Sequence, residues 1–485
     1  MLIATLATLA ACTTSPPYQR PSAASPASFK EAPAAASTWF PAAPADTLDR
    51  GPWWQLFGDP ELSALAAQVE VSNQNVAAAV AAYAEAQALV REQRAALFPA
   101  LSLAAIATRN GGQGLLVRGN NVQAGVNASW EPDVWGGLRL SVTSAQASAQ
   151  ASAANLAAAR LSAQAELATD YFALREADSE IALLGSAVEA YGRSLAITQN
   201  QYRAGIAQRT DVLQAQTQLA TTRANLAAMI GQRALLEHAI ALLVGRAPAD
   251  FSVPAEQRNE TVPAVPLVVP SELLQRRPDI AAAERAVAAA NARIGIERSA
   301  YFPSLRLSAS YSGAGADLAS VFNASNAVWS VGLAVAQTLF DAGAIAARVE
   351  GAQAAQDAAV ANYRQTVLAA FQSVEDQLAT IRSLAEQVDL RRAASADADR
   401  TEQLTLNQYR QGQVPYTSVV TAQVTALAAR QTLTQLTSSR QAATIALIRA
   451  LGGGWREPGA DQTAALRSQW GRQSPAADAP GPDTP

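Results

Sequence analysis

The 485 residues contain a single thiol, Cys12, placed directly behind Leu9-Ala10-Ala11 at the end of a short apolar stretch from Leu2 to Ala10. Small residues before a cysteine in that position are the pattern of a secretory signal cut ahead of the thiol, so the chemistry expected of Cys12 is acylation of a new N-terminus. The apolar stretch departs from the usual signal in having no Lys or Arg before it. With no second cysteine, an internal disulfide cannot stabilise the exported body. The only histidine, His238, lies in a helical stretch without a Cys or second His to complete a zinc set, so no metal is expected there and the residue reads as packing or surface. No phosphate-binding loop, His-Glu-x-x-His, Gly-x-Ser-x-Gly or dinucleotide fingerprint is present. The chain therefore reads as a non-enzyme that needs no cofactor.

Composition narrows the field further. Hydrophobic residues make up 49% and charged residues 16%, with only 6% aromatic, which favours long helices packed through small side chains over one thick core. A net charge of -4 offers no basic patch, and nucleic acid is excluded as a partner. Five stretches follow one another. Residues 1–11 read as the signal, and the Pro- and Ala-rich residues 12–50 as an extended, lipid-anchored tether. Residues 51–250 and 251–452 form two repeats, and residues 453–485 a loosely held tail.

The duplication is visible in landmarks. Arg94 to Leu103 (RAALFPALSL) returns as Arg298 to Leu307 (RSAYFPSLRL), with Phe98-Pro99 falling on Phe302-Pro303. Asn200-Gln201-Tyr202-Arg203 likewise returns as Asn407-Gln408-Tyr409-Arg410. Each half predicts a helix, a pair of strands and a long helical hairpin. The first helices are expected from about Pro60 to Leu97 and from about Ser271 to Tyr301, each halted by the proline that opens the next strand. Arg276-Arg277-Pro278-Asp279 carries the proline and the acid of a helix start. The hairpin helix from about Leu138 to Thr198 would be roughly 90 Å long. Gly205 and Gly412 end the outgoing helices, and the chain restarts near Thr210-Asp211 and Pro415. No transmembrane helix is expected.

Four stretches alternate with a period of two. Leu305, Leu307, Ala309 and Tyr311 face away from Ser304, Arg306, Ser308, Ser310 and Ser312; Val122 to Trp130, Trp329 to Val335 and, more faintly, Leu101 to Thr108 behave alike. Each approaches the ~9–11 residues of a tilted strand that crosses a bilayer. An ordinary half-buried sheet in a soluble domain would alternate in the same way. If lipid is the solvent, four strands cannot close, and an open edge in hydrocarbon costs several kcal/mol per unpaired group, so association is forced. Three copies give twelve strands and an open bore, whereas two give eight and a bore filled by side chains. Trp130 and Phe302 near the inner rim, with Trp329 and Phe322 near the outer one, are candidate membrane-girdle aromatics, although single aromatics also serve plain packing. Thr13 follows the cysteine where an Asp would mark inner-membrane retention, which favours outer-membrane delivery.

Nearly the whole mature chain resembles the outer membrane efflux proteins, the TolC-like family, in its NodT-type lipoprotein branch. The resemblance rests on Trp53-Trp54-Gln55-Leu56-Phe57-Gly58-Asp59-Pro60, Tyr202-Arg203-Ala204-Gly205, Leu273 to Ile280, Phe302-Pro303-Ser304 and Phe371-Gln372-Ser373-Val374-Glu375-Asp376. It implies a mainly α, tandem-duplicated protomer in a homotrimer, with a twelve-stranded β-barrel in outer-membrane lipid continued by a long periplasmic α-helical barrel. It also implies docking to a periplasmic adaptor and an inner-membrane transporter of the RND type, which supplies the energy for passive export of small molecules. A type I protein-secretion exit channel and a non-conducting trimeric stalk are the alternatives. The family closes its periplasmic tip with polar contacts and carboxylate rings just after the Tyr-x-x-Gly turns. Tyr202, Gly205, Asp211, Tyr409, Gly412 and Thr421 therefore become the tip and gate candidates. Thr421 stands where many relatives carry Asp, with Gln214 at the matching place in the first half. For Asp211, a plain helix-capping role remains open beside the gate reading.

Overall fold

The computed structural model describes residues 17–23, 26, 28–32, 52–111, 119–256, 261–263, 265 and 277–453. Cys12, most of the tether and the C-terminal tail lie outside them. The chain divides into two compact units. One comprises Met1–Ala23, Ala81–Ala154 and Ala281–Thr366, the other Ala24–Val80, Asn155–Ile280 and Val367–Pro485.

Where the sequence predicts one helix from Pro60 to Leu97, the chain forms two, α1 (Pro60–Ser72) and α2 (Gln74–Ala95). The break is at Asn73. Its side-chain oxygen accepts from the N–H groups of Asn75 (3.0 Å) and Val76 (3.1 Å), while its amide donates to the Leu243 carbonyl at 2.8 Å. A side chain that satisfies helix-start donors in this way competes with the continuous backbone ladder. The chain then runs through β1 (Ala100–Asn110), β2 (Gly119–Trp130), α3 (Gly137–Arg203), α4 (Arg209–Leu243) and α5 (Pro278–Ser299). It continues with β3 (Ser304–Gly315), a four-residue α6 (Leu318–Val321), β4 (Ala327–Ala336), α7 (Ala344–Arg410) and α8 (Tyr416–Ala450). The duplication is plain in the lengths: α3 and α7 have 67 residues each, α4 and α8 have 35. At about 1.5 Å per residue the longer pair extend roughly 100 Å. By length and composition α4 could cross a membrane. Its Arg233 and Glu237, however, are engaged in polar contacts with the chain that follows it.

The first unit holds one antiparallel sheet in the order β1-β2-β3-β4. The β2–β3 pairing joins the two halves of the duplication, a long-range contact that local pattern could not specify. In the second unit the Trp53 to Pro60 stretch acts as a lock. Trp53, Trp54 and Phe57 are buried, and the Phe57 ring lies 4.9 Å from that of Phe172. Asp59 caps α1 by accepting the Leu62 N–H at 3.0 Å and also receives the Tyr171 hydroxyl at 2.9 Å. The Arg175 guanidinium stands 4.9 Å over the Tyr171 ring and pairs with Asp178 at 3.1 Å, and Arg233 reaches the other Asp178 oxygen at 2.5 Å. Both arginines also donate to the chain after α4, to the carbonyls of Pro254 and Val253 at 2.6 Å each.

The described part of the predicted tether is tied down rather than loose. The Glu375 carboxylate accepts the backbone N–H groups of Lys30 (2.7 Å) and Glu31 (2.9 Å), Arg382 grips the Glu31 carboxylate at 2.6 Å, and Phe29 is buried. In the other unit the Tyr18 hydroxyl donates to Glu284 and Arg364 to the Ser22 carbonyl. An extended segment has no ladder of its own, so carboxylates and guanidiniums of the helices satisfy its backbone.

Candidate functional site

Two places hold most of the functional candidates: the sheet and the hairpin turns. In the sheet, register sorts the side chains by chemistry. Leu103 pairs with Val126, Val126 with Tyr311 and Tyr311 with Trp329, so these four share a face with Leu101, Leu305, Leu307, Val331, Leu333 and Val335. That face is bare in the single chain: Leu103 is 79% exposed and Val331 72%. The opposite face carries Ser102, Asn127, Ser310 and Ser330, and the last two hydroxyls meet at 2.8 Å. Strands of 10 to 12 residues, tilted as in a barrel, rise about 28 Å, which covers an apolar band of about 25 Å. Gly313 has to be glycine for the outer loop to close over the sheet, since a Cβ there would lie 2.0 Å from the Val321 carbonyl oxygen.

Trp130 and Trp329 sit at opposite ends of the apolar face, Trp130 with its indole N–H on the Leu97 carbonyl at 3.0 Å. Tyr311 is directly beside Trp329. Phe322 is 82% exposed. Phe302 is differently placed: half-buried, it stacks on Trp135 at 4.8 Å and 19°, and the Trp135 indole donates to the Pro303 carbonyl at 2.6 Å.

At the turns, α3 and α7 end in the same way. Gly205 and Gly412 take φ of +72° and +73°. The N–H of Ile206 bonds the Gln201 carbonyl and that of Gly205 the Tyr202 carbonyl; Gln413 to Gln408 and Gly412 to Tyr409 repeat the pattern. These are paired Schellman closures, which need a residue at ease in the left-handed region. The tyrosines nevertheless diverge. Tyr202 is half exposed, whereas Tyr409 is buried against Tyr416, with ring centroids 5.2 Å apart and planes at 60°. Ala215 and Val419 complete that cluster. Burial raises both hydroxyls, Tyr416 to about 12, and the Asp211 carboxylate adds to the effect on each.

Asp211 closes a capping box at the start of α4, where its carboxylate accepts the Gln208 N–H at 3.2 Å. Thr421 turns back on its own helix and donates to the Thr417 carbonyl at 3.0 Å. The structure thus brings Tyr409 and Asp211 into one electrostatic neighbourhood and leaves Tyr202 outside the buried cluster. Sequence reasoning passed over Tyr416; its signal was an aromatic directly after Pro415, at a helix start and seven residues beyond Tyr409.

A profile described as outer membrane efflux protein matches residues 65–246 and 269–453 of this chain. The chain belongs to the outer membrane efflux protein family. It is 30% identical to the cation efflux system protein CusC of Escherichia coli K12, over 92% of this chain and 97% of CusC. It is 32% identical to the pyoverdine export outer membrane protein OpmQ of Pseudomonas aeruginosa, over 89% and 94% respectively. The crystal structure of CusC superposes with a TM-score of 0.80 at 28% identity, covering 91% of this chain and all of that one. The open state of the Neisseria gonorrhoeae channel MtrE gives 0.79 at 26% identity, over 92% and 99%. This efflux protein is accordingly an outer-membrane channel component, mainly helical with a four-stranded antiparallel sheet.

Proposed function

We propose that this outer membrane efflux protein works as a homotrimeric, passive exit duct for small molecules. In this reading a lipid on Cys12 anchors it, and an inner-membrane RND-type transporter drives it through a periplasmic adaptor. The observation that carries the reading is the sheet: one face apolar except for Arg109 and Asn120 at its loop end, one polar face, and two edges, β1 and β4, without a strand partner among the described residues. An edge strand in hydrocarbon leaves backbone donors and acceptors unpaired at several kcal/mol each, so the sheet reaches a low free energy in lipid only by joining copies of itself edge to edge. Three copies close at twelve strands with an open bore. The apolar face then meets lipid, the polar face water, and Trp130, Trp329 and Phe322 approach the interfaces, with Phe302 partly committed to Trp135.

The hairpin turns serve as the docking and gating end. Tyr202, Gly205, Tyr409, Gly412 and Thr421 shape it, and Asp211 both caps α4 and places a carboxylate at the mouth. Cargo choice rests with the inner-membrane partner, since relatives named for metal cations and for pyoverdine share this duct. The test is the mass and conductance of the detergent-purified protein. A trimer that opens channels in a planar bilayer is expected; a monomer that passes no current overturns the proposal.

A further inference from the structure

Across the polar face of the sheet the side chains are Ser, Asn, Gln, Thr, Gly, Ala and two apolar exceptions, Ile106 and Val328. One strand residue breaks that neutrality. Arg306, paired with Ala334 near the start of β3, is the only charged strand residue on this face; Arg109, the other charge in the strands, is on the apolar face near the outer loops. Arg306 is exposed, and among the described residues no carboxylate pairs with it. Glu131, which follows β2 at the same end of the sheet, is no exception. An unpaired guanidinium has no packing or ladder role here, and a central strand facing lipid could not hold it cheaply. Its position is intelligible only if that face meets water.

We propose that Arg306 forms a selectivity ring, three guanidiniums at the inner end of the β-barrel that enrich small anions over cations in the bore. This rests on the trimeric duct reading above. Twelve strands spaced about 4.8 Å apart and tilted by about 40° enclose a cylinder roughly 24 Å across between opposite backbones. The axis is then about 12 Å from the wall, and closer to the guanidiniums, which project inward. At 0.1 M salt the Debye length is about 10 Å, so the three fields overlap across the whole lumen; at 1 M it is about 3 Å, and they do not. Three partly screened charges at that range alter local ion concentrations roughly three-fold, in opposite directions for the two signs.

A local reporter separates this ring from whatever constriction limits current elsewhere in the duct. Ser308 lies two residues from Arg306 on the same face, opposite Gly332, which leaves room for a sulfur. In Ser308→Cys protein, with the parent carrying only Cys12 as background, the modification rates of a negatively and a positively charged methanethiosulfonate reagent of similar size are compared. Because the same thiolate attacks the sulfenyl sulfur of either reagent, forming a disulfide and expelling methanesulfinate, their ratio reports local potential and cancels any change in thiol acidity. The negative-to-positive ratio is expected to fall at least three-fold when Arg306→Ser is added, to hold in Arg306→Lys, and to lose its dependence on residue 306 at 1 M salt. A ratio indifferent to Arg306→Ser at 0.1 M overturns the ring and leaves the duct standing. If the Ser308→Cys trimer reacts with neither reagent, the polar face does not line water, and both readings fall.

Discussion

Asp178 holds two arginines at once, and removing it gives the sharpest energetic test of how the second unit is built. Its side chain is 5% exposed and that of Arg175 3%, with Nη1 to Oδ2 at 3.1 Å; Arg233, 17% exposed, meets the other oxygen at 2.5 Å. Deleting one partner of a buried ion pair costs about 3–5 kcal/mol, most of it from the charge left behind. Here Arg175 keeps the Pro254 carbonyl and a 3.6 Å contact to the exposed Glu256, and Arg233 keeps Glu237 at 3.5 Å. Asp178→Ala is therefore expected at the lower end, about 3 kcal/mol. In a unit of this size, at about 2 °C per kcal/mol, the apparent Tm of the detergent-solubilised protein should drop by roughly 6 °C. Protease sensitivity should appear between Val253 and Glu256, whose backbone the two arginines hold. The companion variant is Arg175→Met with Asp178→Leu, which removes the two most buried charges together, leaves Arg233 paired with Glu237, and should recover part of the loss. A Tm shift under 1 °C for Asp178→Ala, or a double variant worse than the single, would refute the view that charge satisfaction organises this joint.

Three further predictions test other parts of the chain. Glu375→Ala removes the acceptor for two backbone N–H groups, and charge-assisted bonds contribute about 1.5–3 kcal/mol each, so tryptic cleavage after Lys30 should accelerate at least ten-fold; an unchanged rate would mean that buried Phe29 and the Arg382–Glu31 pair hold the segment without it. Burial, reinforced by Glu166, raises the Asp170 carboxyl to about 6. The folded protein then binds a proton that the unfolded chain releases near pH 4, so this group's contribution favours folding most below pH 4 and declines up to pH 6; Asp170→Asn should flatten that slope in thermal melts across pH 4–7. Asp211→Asn keeps a capping oxygen and should leave stability within about 0.5 kcal/mol while weakening the cation preference of single channels; an unchanged reversal potential leaves Asp211 as a cap only.

What the sequence could and could not reveal follows the range of the interactions involved. Period-two alternation is a property of neighbouring residues, and the predicted strands Val122 to Trp130 and Ser304 to Ser312 correspond closely to β2, Gly119–Trp130, and β3, Ser304–Gly315. The turn glycines were equally local, since a Schellman closure spans six residues. Asn73 was missed although it is also local, because a capping asparagine inside an alanine-rich run looks like one more helical residue until the Leu243 carbonyl takes its amide. The Arg175–Asp178–Arg233 joint lay beyond reach, because 55 residues separate Asp178 from Arg233 and nothing in either helix marks the pairing.

The hairpin turns show how duplicated sequence becomes unequal packing. Tyr202 and Tyr409 occupy equivalent turns with matching backbone bonds, and the repeat predicts equivalent environments. The difference arises one element later, where the first half restarts with Arg209 and the second with Tyr416. An arginine at a helix start stays in water; a tyrosine there, 2% exposed, fills the space over the preceding ring and buries Tyr409 with it. One turn is thus anchored by an aromatic pair in a shared core with Val419 and Ala215, while the other leaves its tyrosine half exposed. Local opening costs least where few apolar contacts must break, so if the turns form the gate as proposed, the first-half turn, with Tyr202 and the Asp211 box, is the one expected to move. Faster hydrogen exchange at residues 203–207 than at 410–414 would agree with that order, and the reverse would place the hinge in the second half.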